Sequence, residues 1–169
     1  MRIDGGELVF GAATELTSDN GKDDRASFIF VLLKRKDGKL SEVVHSKRFF
    51  GVRDALVDSI DAQSTRRFTV QISGHSYCGR SVHVYRFAKI RQRWEFTGRD
   101  DTTCQCHDGD AAVCQSRNFR SANFITGNFV KQEFIRDKKV SEKRKTYRFK
   151  RILLDNFEND YDTAYWEQL

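Results

Sequence analysis

Four cysteines and a nearby histidine are the residues best suited to covalent or metal chemistry. Cys104, Cys106 and Cys114 lie in the segment "CQCHDGDAAVC" together with His107, and Cys78 lies in "ISGHSYCGR". These soft ligands could hold zinc, but "CQC" has one residue between its cysteines where zinc sites more often have two. The even number of cysteines favours two disulfides formed in an oxidising compartment. The pairing stays open, because four cysteines allow three connectivities.

A second chemical motif is the segment "TSDNGKDD", which places several oxygen-bearing side chains around Gly21. Calcium prefers such oxygen ligands around a glycine turn. The candidate ligands are Ser18, Asn20 and Asp24, but Leu16 occupies the position of the first carboxylate. The sequence therefore favours an ordinary Asn-Gly turn, with calcium as the alternative.

Catalytic constellations are sparse. The four histidines are scattered at positions 45, 75, 83 and 107. No serine lies in a Gly-x-Ser-x-Gly elbow, and neither a phosphate-binding glycine loop nor a paired-histidine metal motif is present. The sequence therefore predicts a protein that is not an enzyme and that has no cofactor other than the calcium alternative.

The segment "ISGHSYCGR", residues 72–80, separates two runs of alternating apolar and polar residues. Its glycines permit a tight reversal, Tyr77 is a rigid amphipathic ring, and Arg80 carries a charge suited to a carboxylate. The segment is either a projecting binding loop or a plain turn with Tyr77 packed on the sheet. The candidate partner-binding residues are Ser73, Gly74, His75, Ser76, Tyr77 and Arg80.

Strand periodicity dominates the elements that must position these residues. Turn residues, mainly Asn or Asp beside Gly, separate runs rich in β-branched and aromatic side chains. The predicted strands are Glu7–Leu16, Ala26–Lys36, Ser41–Ser46, Arg67–Ser73, Ser81–Ile90 and Arg93–Asp100, and a further hairpin is predicted from "SANFITGNFVKQEFI" and "KTYRFKRILL".

One short helix is predicted between Phe50 and Ala62, where apolar residues recur at helical spacing. The segment "FIFVLL" is apolar on both faces and should be a central strand. The predicted fold is all-β: an antiparallel meander that forms a β-sandwich or a strongly curved sheet, with one short helix. The 169 residues are expected to form one β-rich domain, with an acidic tail at about 152–169.

The net charge of +6 is unevenly distributed. Residues 131–151 contain ten Lys or Arg against three acids, whereas residues 152–169 contain five acids and no base. Such a basic patch suits nucleic acid, anionic lipid or an acidic protein. The basic and aromatic stretches "YRFAKIRQRW" and "KRKTYRFKR" resemble a base-stacking platform, but the same alternation is typical of strands whose rings are buried. The second interpretation is preferred, so no nucleic-acid partner is expected.

The loop that contains Ser73, Gly74 and Tyr77 reads Ser-Gly-x-x-Tyr and resembles the signature loop of bacterial periplasmic lysozyme inhibitors. The stretches "VYRFAKIRQRWEFTGRDDTT", "SANFITGNFV" and "SDNGKDDRASFIFVLLKRKDGKL" are similar to other parts of a group of small periplasmic proteins and lipoproteins. Members of this group resemble inhibitors of invertebrate-type lysozyme, and they include immunity proteins against secreted peptidoglycan hydrolases.

The resemblance implies a β-sandwich-like fold, a periplasmic location and a protein partner, namely a lysozyme-like or other peptidoglycan hydrolase. It leaves open a lipid anchor in the precursor. The cysteine-rich insert is not part of the group's pattern, and the basic charge favours an acidic target over a cationic lysozyme. The alternative is a periplasmic surface-binding module that engages anionic glycan or lipid through the basic hairpin at residues 131–151, without inhibitory action.

Overall fold

The computed structural model describes residues 2–3, 6–17, 25–47, 49–53, 56–64, 66–76, 79–105 and 114–157. In this part of the chain, no helix is long and apolar enough to cross a membrane. The strands and the single-turn 3₁₀-helix η1 of these residues are β1 (Arg2–Ile3), β2 (Gly6–Thr17), β3 (Arg25–Lys36), β4 (Lys39–His45), β5 (Phe49–Arg53), β6 (Leu56–Ser64), β7 (Arg67–Ser76), β8 (Gly79–Ile90), β9 (Arg93–Gln105), β10 (Ser116–Asn123), β11 (Asn128–Ile135), β12 (Lys138–Thr146), β13 (Ile152–Leu153) and η1 (Leu154–Asn156).

The first sheet contains β1 to β5, with β3 at its centre. Antiparallel β2 pairs along one edge of β3, while β4 and β5 share the other edge. The turn between β3 and β4 consists of Asp37 and Gly38, both at positive φ, as the Asp-Gly pair predicts. The central position predicted for "FIFVLL" is therefore confirmed.

The second sheet is an up-and-down meander in which β6 to β12 follow one another, and β13 pairs with β9 beyond the end of β10. Two of its turns, Arg91–Gln92 and Arg136–Asp137, have positive φ at both residues, although neither contains glycine. Such two-residue turns match the right-handed twist of the strands, which offsets the unfavourable backbone conformation. They fix the register of the strands on either side.

Alternate residues of β3 join the two sheets into a sandwich with one aromatic core. Phe28, Phe30 and Leu32 are at most 1% exposed and lie on one face of β3. The Phe30 ring contacts the rings of Tyr85 and Phe87 on β8. The other buried members of this core are Phe68, Val70, Ile72, Trp94, Phe96, Ile152, Leu154 and Phe157. The all-β sandwich prediction is confirmed, and the rings of "YRFAKIRQRW" are buried as predicted.

The start of the predicted acidic tail belongs to this core. Ile152 and Leu153 pair with β9, and Phe157 packs against Phe30 with ring centroids 6.0 Å apart. Residues 152–157 of the predicted tail are therefore part of the sandwich, because Ile152, Leu154 and Phe157 are buried in its core. Residues 158–169 lie outside the described residues.

The predicted helix between Phe50 and Ala62 is wrong, because the described residues of this segment belong to β5 and β6. A β-bulge between Val57 and Ser59 explains the misleading pattern. The extra residue brings Val57 and Ile60, three positions apart, onto the same side of a strand, where both pack against the core. Leu56, another apolar residue of the helical pattern, is 66% exposed.

The hairpin predicted from "KTYRFKRILL" is also misplaced. The partner of β11 is β12, which ends at Thr146, and the following residues 147–151 form no strand. Phe149 packs against Phe124, with ring centroids 4.5 Å apart, instead of alternating along a strand. The Lys-rich sequence of β12 does not by itself predict a strand, because the segment becomes a strand only by pairing with β11.

The packing of β3 on the second sheet leads to a stability prediction. We expect Phe30→Ala to lower the free energy of unfolding by about 3–5 kcal/mol, because it removes a buried ring and leaves a cavity between the sheets. The matched control Leu40→Ala, at a position that is 52% exposed, should change it by less than about 0.5 kcal/mol. Urea denaturation measures both, and equal effects would contradict the packing of the two sheets.

Candidate functional site

The predicted loop is the end of the long β7–β8 hairpin. Strand pairing continues to the pair Ser76 and Gly79, so two residues, Tyr77 and Cys78, separate them in sequence. These two residues lie outside the described residues. His75 and Ser76 are strand residues rather than loop residues. At this last described pair β8 also pairs with β9, through Gly79 and Gln105, so the end of the hairpin is part of the sheet.

Ser73 lies below this tip and is only 3% exposed. Its hydroxyl donates a hydrogen bond to Asp58 Oδ1 at 2.7 Å, and Gln71 Nε2 donates to Asp58 Oδ2 at 3.1 Å. Asp58 is the extra residue of the β-bulge in β6. Ser73 therefore fastens β7 to β6, and its hydroxyl does not stand at the tip as a free donor.

Of the neighbouring residues of the hairpin, Gly74 is buried and Arg80 is exposed. The Gly74 carbonyl oxygen accepts a hydrogen bond from the Ser81 hydroxyl at 3.4 Å. Arg80 pairs with His75 one position before the last pair of the hairpin, and forms no ion pair with any described residue. Of the predicted contact residues with described side chains, Arg80 is thus the one available to a partner.

A disulfide stands beside the hairpin. Cys104 and Cys114 are bonded, with their Cα atoms 5.5 Å apart, and they connect the end of β9 to the residues before β10. Cys104 lies directly opposite Arg80 in the β8–β9 ladder. The zinc alternative loses both of these ligands to the disulfide. Cys78, Cys106 and His107 lie outside the described residues.

A buried polar cluster, which the sequence did not reveal, lies at the edge of the aromatic core. The Asp101 carboxylate accepts a hydrogen bond from Arg99 Nε at 2.5 Å, and His83 Nδ1 lies 2.7 Å from Asp101 Oδ1 and 2.9 Å from Arg99 Nη2. All three residues are at most 7% exposed, and the Arg99 guanidinium lies 5.0 Å from the centre of the Tyr85 ring. Burial raises the pKa of the Tyr85 hydroxyl, which the positive charge of Arg99 partly opposes.

The strand register explains this cluster. His83 pairs with Asp101, and Tyr85 pairs with Arg99, so all four side chains lie on one face of neighbouring strands. A His–Asp pair is one part of a general-base arrangement, but His83 Nε2 is buried and has no hydrogen-bond partner. In the described residues the cluster therefore joins β8 to β9.

The β11–β12 hairpin, residues 128–146 and hereafter the basic hairpin, carries seven Lys or Arg against three acids. Hydrogen bonds from Lys139 and Arg144 on either side lower the pKa of Glu142 to about 2. Hydrogen bonds from Lys131 and Ser141 lower the pKa of Glu133. Asp137 lies 3.8 Å from Arg117 of β10. Each acid of the hairpin is thus already paired with a cation.

The candidate calcium ligands Ser18, Asn20 and Asp24 lie outside the described residues. Within the described ranges, no three His, Cys, Asp or Glu side chains come together as a metal site. The calcium alternative therefore stays a prediction.

The supporting role of Ser73 is testable by stability. We expect Ser73→Ala to lower the free energy of unfolding by about 1–2 kcal/mol, because it removes a hydrogen bond from a buried hydroxyl to a charged carboxylate. The matched control is Ser59→Ala, whose hydroxyl donates to Asp61 on the exposed side of the same strand. That variant should stay within about 0.5 kcal/mol of the parent protein. Similar losses in both variants would contradict the assigned role of Ser73.

The disulfide gives a second stability test. Peptide mapping without reduction should recover Cys104 linked to Cys114. Replacing both residues by serine should lower the free energy of unfolding by about 2–3 kcal/mol, because the unfolded chain regains the entropy of a short closed loop. Detection of four free thiols in the native protein would contradict the bond.

Comparisons with protein-family models, with curated proteins and with solved structures found no significant match for this chain. The likeness to lysozyme inhibitors accordingly depends on the sequence motif of the β7–β8 hairpin and its surroundings.

Proposed function

We propose that this protein is a periplasmic inhibitor or immunity protein that binds a lysozyme-like peptidoglycan hydrolase. The tip of the β7–β8 hairpin would enter the active-site cleft of the enzyme and block it. The observation that carries this proposal is the exposed Arg80, which forms no ion pair with any described residue and lies at the braced end of the hairpin beside the Ser-Gly-x-x-Tyr motif.

The chemistry of the target explains why such a tip suits the cleft. Glycoside hydrolases of this kind use two carboxyl groups on either side of the scissile bond. A cationic side chain at the tip can pair with a carboxylate there through charge-assisted hydrogen bonds. Arg80 is exposed and unpaired among the described residues, so it fits this role. Tyr77 would add an aromatic contact, as the motif implies.

The bracing of the hairpin supports tight binding. Three features near the tip restrain it: the Ser73–Asp58 hydrogen bond, the Ser81–Gly74 hydrogen bond and the disulfide beside Arg80 in the ladder. A binding segment that is held in place before it docks loses less conformational entropy on binding. Ser73 and Gly74 would therefore act by holding the tip in place rather than by touching the hydrolase.

The net charge indicates which kind of hydrolase suits this protein, and the disulfide indicates which kind of compartment. A protein with a net charge of +6 is steered towards an acidic surface, so an acidic hydrolase fits better than a cationic lysozyme. The Cys104–Cys114 disulfide suits an oxidising compartment such as the periplasm.

A cell-wall lysis assay tests the proposal. Purified protein is titrated against goose-, chicken- and invertebrate-type lysozymes and against any peptidoglycan hydrolase encoded beside its gene. We expect dose-dependent protection from at least one of them. The double variant Tyr77→Ala with Arg80→Ala should need at least about thirtyfold more protein for equal protection, because it removes two central contacts.

The matched control is Arg93→Ala, which removes an exposed arginine at the opposite end of the same sheet. This variant should protect as well as the parent protein. The proposal fails if no hydrolase of the panel is inhibited and none forms a complex on size exclusion. It also fails if the tip variant and the control inhibit equally.

A further inference from the structure

The cations of the basic hairpin fall into two groups. Three are neutralised by acids of the same hairpin: Lys131 by Glu133, and Lys139 and Arg144 by Glu142. The other four form no ion pair with any described residue, and they are Arg136, Lys138, Lys143 and Lys145. All four are exposed. The net positive charge of this hairpin therefore resides on side chains that are open to a partner.

Three of these cations follow the edge of the sheet. Lys138, Lys143 and Lys145 lie on β12, the last strand of the meander, which pairs only with β11. Seven residues of extended chain separate the first of them from the last, a span of roughly 24 Å. The edge thus presents a line of positive charge rather than a compact pocket.

Exposed aliphatic side chains stand at one end of this line. Ile135 is 54% exposed and Val140 is 55% exposed, on either side of the turn at Arg136 and Asp137. Lysines on an edge strand commonly serve to prevent pairing with other sheets. That role accounts for the charges but not for two aliphatic side chains left in water beside them. A soluble anion would likewise make no use of them.

We propose that the edge strand β12, together with Ile135 and Val140, binds the surface of a lipid bilayer that contains anionic phospholipid. The lysines would contact headgroup phosphates, and the two aliphatic side chains would enter the boundary between headgroups and acyl chains. This inference goes beyond the proposed inhibition and does not depend on it.

The sheet geometry makes the two activities compatible. Four strand spacings separate β12 from β8, which places the β7–β8 hairpin roughly 19 Å along the sheet from the bound edge. A molecule docked through β12 would therefore leave Arg80 accessible to a soluble partner.

Vesicle co-sedimentation tests the proposal with the full chain. We expect binding to vesicles of phosphatidylglycerol and phosphatidylcholine at a ratio of about 1:2, weakening as salt is raised, and little binding to pure phosphatidylcholine. Lys143→Gln with Lys145→Gln should weaken binding by at least about tenfold, since each cation near an anionic surface contributes about fivefold. Ile135→Ser with Val140→Ser should weaken it by about tenfold as well.

The β3–β4 turn supplies matched controls. Lys36→Gln with Lys39→Gln removes two exposed cations around a similar turn on the other sheet, and Leu40→Ser removes an exposed aliphatic side chain. Neither should change binding by more than about twofold. Circular dichroism and melting curves confirm that every variant is folded.

Three outcomes would overturn the proposal. The first is equal sedimentation with anionic and neutral vesicles. The second is equal weakening by the β12 variants and by the β3–β4 controls. The third is unchanged vesicle binding in the Ile135 and Val140 variant together with tight binding to soluble polyphosphate, which would identify a site for soluble polyanions instead. The lysis assay is independent of all three.

Discussion

The backbone ladder between β8 and β9 is the constraint on which the rest of the structure depends. These long strands lie in the middle of the large sheet and pair from Gly79 and Gln105 to Ile90 and Arg93. One end of the ladder supports the β7–β8 hairpin beside the disulfide, and the other end contributes aromatic rings to the core. The sheet continues from β9 through β10 and β11 to β12, so the position of the edge strand also depends on β8 and β9.

The buried charges make the register of this ladder specific. A slip of one residue would move the side chains of one strand to its opposite face. His83 and Asp101 would then separate, while Phe87 would leave the core, so polar and apolar side chains favour the same pairing. Buried ion pairs often add little net stability, but breaking one is costly because the remaining charge is left without a partner. The cluster therefore penalises wrong pairings more than it stabilises the correct one.

The sequence predicted the elements whose signals are local. Strand alternation located the core strands to within a few residues, and the Asp37–Gly38 pair identified its turn. Sequence-based prediction failed where distant residues determine the secondary structure. The bulge in β6 gives its apolar residues a spacing like that of a helix, and the Lys-rich segment of β12 forms a strand only because it pairs with β11. The predicted site was affected in the same way. Ser73 was predicted to contact a partner because nothing in the local sequence shows that Asp58, 15 residues earlier, accepts a hydrogen bond from its hydroxyl.

Topology also explains why positive charge remains at one edge. An interior strand has neighbours on both sides, so its charged side chains have more strands in which to find partners, as Arg86 of β8 does with Asp100 of β9 and with the Ala122 carbonyl oxygen of β10. The last strand of a meander has one neighbour. The two acids that β12 and β11 place between their lysines are consumed by Lys131, Lys139 and Arg144. Further cations, which keep the open backbone edge from pairing with other sheets, then stay unpaired among the described residues. Because this edge is positively charged, it also attracts an anionic surface.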